Sequence, residues 1–302
     1  MPLAGNPQNG QQWTHLTPRE VSIGLTTKGR SVSVYTARGL FKQFHLGRRS
    51  MRKDITLKQA QGRNEQFERI QALRKDYESE LILSIDGKKK EYLGEFYRKG
   101  QVYGEKAIRA FDHDFNSEAK GLLCPYGVYD VGAKQGCILL GESRQTADFA
   151  VDSLKVYLER YVLNQGPAPQ RLLLLCDGGG SNGSANRLFK YNLQQLADAT
   201  GIHIRVAHYP PYCSKYNPIE HRFFSHITRC WQGVKLESIA QVRALTRLKA
   251  KFTLKVKIKV ATLRKTYKTG KKVAQQVFNK LNIIHDQELG KWNYCIVPNS
   301  SP

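Results

Sequence analysis

Apolar positions along this chain follow two periods, and the change from one to the other organises it. From "TPREVSIGL" through "YTARGLFKQFHLGRRS" they recur every three or four residues, and Thr17-Pro18 has the form of a helix start. "SVSVYTARGLFKQFHL" reads either as the second helix of a small DNA-binding unit, with Arg38, Lys42, Arg48 and Arg49 on or beside it, or as an ordinary basic packing helix. Residues 1–15, rich in Gly, Pro, Asn and Gln, read as a loose tail. "ITLKQAQGRNEQFERIQALRKDYES" is a charged helix leading into the core. The pattern then shortens: "LILSID" (81–86) and "EYLGEFY" read as strands, and "PYGVYDV" and "GCILLG" as further strand material around the turn "GAKQG". "TADFAVDSLKVYLERYVL" returns to helical spacing with Thr146 as its cap. "RLLLLCD" suits a strand covered on both faces. "ANRLFKYNLQQLADAT" is a helix closed by Gly201, and "IHIRVAHY" an alternating strand. "NPIEHRFFSHITRCW" is a helix with Asn217 as cap and Pro218 at its first position.

Three strands followed by alternating helices and strands predict an α/β fold, a mixed sheet with helices on both faces. The expected organisation is an N-terminal tail and helical segment over 1–64, a main domain over 65–235 and a basic C-terminal extension over 236–302.

Charge changes the picture. The chain has 48 Lys and Arg against 25 Asp and Glu in 302 residues, a net +23, which predicts a polyanionic partner, nucleic acid first. The six cysteines show no CxxC spacing, so they read as small buried hydrophobes in a reducing, cytoplasmic setting. No apolar run reaches the roughly 20 residues of a membrane span, and no membrane partner is expected.

Candidate chemistry lies where strands end. Asp86 closes the first strand, Asp177 closes "RLLLLCD", and Glu220 opens the helix after the last strand. Ligand sites in sheets with parallel strands form outside the strand carboxyl ends. Each acid also has a plain structural reading: Asp86 as a turn residue or partner of Lys88 or Lys89, Asp177 in an Asx-turn, Glu220 favoured by the helix dipole. Together, three carboxylates without a cation among them make sense around divalent metal, and hard oxygen donors select Mg²⁺ or Mn²⁺. Two such ions can clamp an in-line phosphoryl displacement. Asp112 lacks a strand to aim it, while Asp114 and Asp130 are possible accessory ligands. His221 and Arg222 fall off the apolar stripe of Ile219, Phe223, Ile227 and Cys230, toward Glu220 or solvent.

Residues 243–280 hold 13 Lys or Arg and no acid. Within them "FTLKVKIKV" alternates, with Phe252, Leu254, Val256, Ile258 and Val260 on one face and Lys255, Lys257 and Lys259 on the other. This is either a phosphate-tracking surface, with Lys271 and Lys272 following, or an edge strand guarded by lysines. Trp231 and Tyr267 are candidates for base stacking or for packing.

"LILSIDGKKKEYLGEF", "HDF", "PYGVYD", "TADFAV", "DGGGSNG", "PPYCSKYNPIEHRFFSHI" and "KWNYCIVP" together resemble the DDE transposases of bacterial insertion sequences, the IS-Azo-thirteen group, from about residue 65 to residue 298. The resemblance implies a ribonuclease-H-like mixed five-stranded sheet and an Asp-Asp-Glu metal triad at Asp86, Asp177 and Glu220. It implies Mg²⁺-dependent cleavage of element ends, transfer of the freed 3′-OH to target DNA, and a homo-oligomer bridging two ends. A hydrolytic nuclease of the same fold, or a DNA-binding remnant deficient in transposition, are the alternatives. The chain departs from the family at Gly87, where threonine is common, and in "DGGGSNG", commonly "DAGGSNG". Family members also carry a longer N-terminal helix-turn-helix region, so an N-terminally trimmed copy is expected.

Overall fold

In the computed structural model, which describes residues 4–6, 11–50 and 60–299, the chain divides into two units, Met1–Leu57 and Lys58–Pro302. The first holds a two-stranded antiparallel pair, β1 (Ala4–Asn6) and β2 (Gln11–Trp13), then α1 (Pro18–Thr26) and α2 (Val34–Gln43). Within the loose tail expected over 1–15, residues 4–6 and 11–13 therefore pair as strands, and residues 1–3 and 7–10 lie outside the described residues. Thr17 caps α1 in a reciprocal box with Glu20, and the Ser33 hydroxyl accepts the Thr36 N–H at the start of α2. Arg38 and Lys42 lie on α2 and are exposed, while Arg48 and Arg49 follow it.

The second unit begins with α3 (Arg63–Asp76); the part of the charged helix expected over 55–59 lies outside the described residues. There follow β3 (Leu81–Gly87), β4 (Glu91–Leu93), β5 (Gly121–Asp130), β6 (Gln135–Gly141), α4 (Ala147–Leu158), β7 (Arg171–Cys176), α5 (Arg187–Thr200) and β8 (His203–His208). Then come α6 (Ser225–Trp231), α7 (Ile239–Ala250), β9 (Lys257–Thr262), the short α8 (Gln275–Phe278), β10 (Ile283–His285) and β11 (Asn293–Ile296).

At the centre β6, β5, β3, β7 and β8 lie side by side, with the first three antiparallel and β3, β7 and β8 parallel. This is the ribonuclease-H-like mixed sheet. It grows beyond five strands because residues expected as a C-terminal extension complete both edges: β9 runs parallel to β6, and β11, with β10 outside it, runs antiparallel to β8. "EYLGEFY" forms a strand only over its first three residues, and these pair with the start of β5 away from the central strands. "FTLKVKIKV" is strand only from Lys257; Phe252 and Leu254 are 75% and 96% exposed, so the expected dry face begins at Val256.

The four leucines of β7 are explained by what lies on either side. Leu172 and Leu174 join a core with Phe149, Leu154, Phe189 and Leu193 from α4 and α5. Leu173 and Leu175 face the opposite way, against Ile70, Leu73 and Tyr77. On that second side of the sheet Ile219, Phe223, Ile227 and Trp231 pack over β5, β6 and β9. Two glycines allow this approach. A Cβ on Gly127 would lie 2.4 Å from the Phe224 ring, and one on Gly136 would lie 2.4 Å from Phe223. Trp231 and Tyr267 are buried in packing, their polar atoms bonded to Thr246 and Asp152. All six cysteines are free, and all but Cys295 are buried. No helix among the described residues is long and apolar enough to cross a membrane.

Candidate active site

The carboxylates meet because two parallel strands are in step. Ser84 pairs with Leu175, so two residues further along each chain Asp86 falls level with Asp177 at the same sheet edge. Alternation along β3 sends Leu83 and Ile85 into the core beside α4, and Ser84 and Asp86 to the other side. That is the side on which the segment carrying Glu220 packs.

Glu220 is delivered by an unusual helix start. Residues Glu220–Phe224 form a π-helical turn before α6, a geometry frequent at functional sites. Asn217, expected as a helix cap, is instead fully buried and turned to β3: it accepts from the Ser84 hydroxyl at 2.5 Å and donates to the Ile85 carbonyl at 3.2 Å. The Ser84 oxygen in turn accepts the Ile219 N–H at 3.1 Å. A serine two residues from Asp86 thus takes over the capping function, because Asn217 is held away by a buried backbone acceptor.

Electrostatics at this edge are strained. Burial, with the charges of Asp177 and Glu220 beside it, pushes Asp86 up to about 8, while the Gly87 N–H, 2.7 Å from Asp86 Oδ1, pulls the other way. Burial also raises Asp177 to about 6, against the Gly179 amide and the Asn182 side chain, which favour its charged form. Asp177 Oδ1, Tyr126 Oη and Asn182 Nδ2 are buried without a hydrogen bond of good geometry, so Asn182 acts on Asp177 as a nearby dipole rather than through a formed hydrogen bond. The glycines of "DGGGSNG" reverse the chain so that the turn Gly180–Asn182 tucks Asn182 beneath Asp177.

Behind Asp177 lies a dry polar chain. His208 is fully buried and held down at about 4 by burial, hence neutral. The Asp177 carbonyl can only accept, so His208 Nδ1 donates to it at 2.9 Å and Nε2 accepts from the Tyr294 hydroxyl at 3.0 Å. Gln66 donates to the His208 carbonyl and exchanges hydrogen bonds with Asn293. Ser84, Tyr126, Asn182 and Tyr294 lie inside motifs read in the sequence, but nothing there gave them, or His208, a role. Only the position of Ser84, on the same strand face as Asp86, was a usable signal.

The expected DNA contacts scatter. Lys88 is half-buried, its ammonium 5.7 Å from the Trp231 ring centre and within electrostatic reach of Glu220; Lys89 is exposed. His221 and Arg222 are exposed on the turn that carries Glu220. Lys257 and Lys259 are exposed three strands from β3, on the sheet face opposite Asp86, where Lys259 lies 5.9 Å from the Tyr161 ring centre. They therefore do not join the carboxylates. Lys255 precedes β9 and is exposed, near His226. Lys271 pairs with the mostly buried Asp148 at 2.6 Å, which makes it a structural strap; Lys272 is exposed. Asp130 accepts the Ala133 N–H in the β5–β6 turn, and Asp112 and Asp114 are exposed, so none of the three reaches the site.

The donor set fits a hard divalent cation: three carboxylates, a buried carboxylate oxygen without a partner, and mutual repulsion that a cation relieves. Among the described residues, no three His, Cys, Asp or Glu side chains stand close enough to enclose an ion as they are. The three carboxylates are nonetheless close enough to act on one another electrostatically.

A family model described as "Rhodopirellula transposase DDE domain" matches residues 2–298. The match begins near the N-terminus, not at residue 65 where the recognisable motifs start, because α1 and α2 carry no long signature of their own. No curated protein matches the chain significantly. Similar solved structures include a Mos1 transposase paired-end complex with left transposon end, at 13% identity, covering 83% of this chain and 75% of that one with a TM-score of 0.49. A Mos1 mariner paired end complex with Mn is similar at 15% identity, covering 80% and 68% with a TM-score of 0.46.

Proposed function

The chain belongs to this family of transposase DDE domains, and from that premise we propose that it cleaves DNA at the ends of an insertion element and joins the freed 3′-OH to target DNA. The observation that carries the reading is the meeting of Asp86, Asp177 and Glu220 at one sheet edge, with Asp177 Oδ1 buried and unpartnered. In this reading the three carboxylates hold Mg²⁺, with Mn²⁺ as a substitute, as a pair of ions. Bound there, the metal supplies Lewis-acid polarisation of the scissile phosphate and a stronger oxygen nucleophile.

The chain's own residues have distinct tasks. Asp86 and Asp177 are rigid because they end buried strands, and His208 fixes the backbone of Asp177 from behind. Glu220 sits on a π-helical turn hydrogen-bonded to β3 through Ser84 and Asn217 and packed on the sheet by Ile219 and Phe223, which set its position as a ligand. Lys89, His221 and Arg222, exposed around the same edge, meet the phosphates flanking the scissile bond. Two copies bridging two element ends complete the reaction, with element ends and target DNA as the partners.

The test incubates the purified full chain with labelled element ends and Mn²⁺ or Mg²⁺. Joined products support the reading. Nicks alone make the protein a hydrolytic nuclease, and a shifted band without cleavage makes it a binding remnant; either outcome overturns strand transfer. Asp86→Asn, Asp177→Asn and Glu220→Gln are each expected to abolish cleavage and to weaken Mn²⁺ binding measured by calorimetry.

A further inference from the structure

The connection from β4 to β5, residues 94–120, leaves the sheet and forms one wall of an open cleft of about 1020 Å³. The other wall is Gln232–Lys235, which follows α6 directly. The floor is built. The two backbones cross at Gly100 and Gly233, both at positive φ, where a Cβ on Gly100 would lie 2.9 Å from Gly233 N and one on Gly233 would lie 3.0 Å from Gln101 N. Gly94 bridges to Leu236, Lys235 pairs with Glu95, and Arg98 donates to the Tyr92 carbonyl at 2.6 Å.

Above this anchored floor the lining mixes aromatic and basic side chains with aliphatic ones such as Val102 and Ile108. Tyr97 and Tyr103 are 67% and 109% exposed, and no acid lines the cleft. The charges of Arg98 and Lys235 are matched by Glu91 and Glu95. Lys99 and Lys106, both exposed, have no ion pair among the described residues. A second copy of a chain carrying +23 is a poor occupant for two unmatched lysines. A polyanion is a good one, and two free tyrosine rings are useful only to bases that are not already stacked in a duplex. Glu220 and Gln232 are separated by about 18 Å of helix, so an extended strand of a few nucleotides spans from the carboxylates to the cleft.

We infer that this cleft holds a single-stranded segment of DNA, its bases stacked on Tyr97 and Tyr103 and its phosphates on Lys99 and Lys106. The inference rests on the DNA-cleaving function proposed above.

Anisotropy titrations of the full chain in EDTA test it, with a labelled oligothymidylate of about twelve nucleotides and a duplex of the same length. Tyr97→Ala and Tyr103→Ala are each expected to weaken single-strand binding about tenfold, and Tyr103→Phe to retain it. Duplex binding should stay within about twofold of the parent, since no ring is then available to a stacked base. Lys99→Gln and Lys106→Gln should each reduce the slope of log K against log salt by about 0.7. Tyr103 is fully exposed, so its truncation leaves the fold intact, as a thermal melt will show. Unchanged oligothymidylate binding in the alanine variants overturns the inference, as does an equal loss for duplex. A change in sedimentation alone also overturns it, making the face an interface between copies. Metal-dependent cleavage is read separately: failed stacking with cleavage intact overturns this inference only, whereas stacking with no cleavage by the parent overturns the other.

Discussion

The Ser84 hydroxyl donates to Asn217 Oδ1 at 2.5 Å, and this contact is the hinge between the strand that carries Asp86 and the turn that carries Glu220. Ser84→Ala leaves Asn217 Oδ1 and the Ile219 N–H buried without partners. The variant should lose about 1–3 kcal/mol of stability in denaturant titrations. Cleavage should fall further than stability alone explains, by about tenfold or more, because Glu220 loses its register. Cleavage equal to the parent under conditions where both are fully folded would show that the hinge does not set the site.

Asp86 makes the metal-free protein pH-sensitive in a defined direction. Its folded value, about 8, lies above the ordinary 3.8. The folded state therefore binds the proton more tightly, and the associated stability is present below about pH 4 and is lost as pH rises toward 8. Asp86→Asn removes that loss. In EDTA at pH 8 the variant should melt higher than the parent by about 3 °C or more, and the difference should vanish toward pH 4. A parent that is no less stable than the variant at pH 8 would mean the three acids do not repel.

His208 works in the opposite sense. Its folded value, about 4, lies below the ordinary 6.5, so stability from the neutral ring is full above about 6.5 and falls as pH drops toward 4. Tyr294→Phe strips the hydroxyl that donates to Nε2, at an expected loss of about 1–3 kcal/mol. Hydrogen exchange at the end of β7 should rise in this variant, because the ring also holds the Asp177 carbonyl. Exchange confined to β11 would show that Asp177 is held by other means.

Gly127→Ala puts a methyl group 2.4 Å from the Phe224 ring and 2.7 Å from Ile219 Cδ1. Overpacking of this kind should destabilise by about 1–3 kcal/mol and push the Glu220 turn off the sheet. Gly127→Ala combined with Phe224→Leu should recover part of both stability and cleavage. If the single variant is as stable as the parent, the turn does not rest on β5.

The strand ends were legible in the sequence because burial leaves a strong mark: four leucines then an acid, and "LILSI" then an acid, gave the two aspartates their address. Glu220 followed from the helix after β8. What stayed hidden depended on partners far along the chain. Asn217 has the sequence of a cap, but Ile85 and Ser84, over 130 residues earlier, claim its side chain. α7 went unseen at the start of the basic stretch, since Arg247 and Lys249 in its last turn drew the reading to charge rather than to its apolar side. The lysines of β9 alternate as a surface should, yet alternation says nothing about which face of the sheet they join; α4 takes that face, and Glu220 lies on the other. His208 and Tyr294 left no trace because each is an ordinary strand residue until the two strands pair.

Both edges of the central sheet are extended by strands from residues 257–296, which follow all three acids in the chain. A nascent copy therefore carries all three acids while β6 and β8 still present open backbone, a template for pairing with neighbouring chains. A chain cut before residue 257 should therefore aggregate, where one that reaches residue 296 does not.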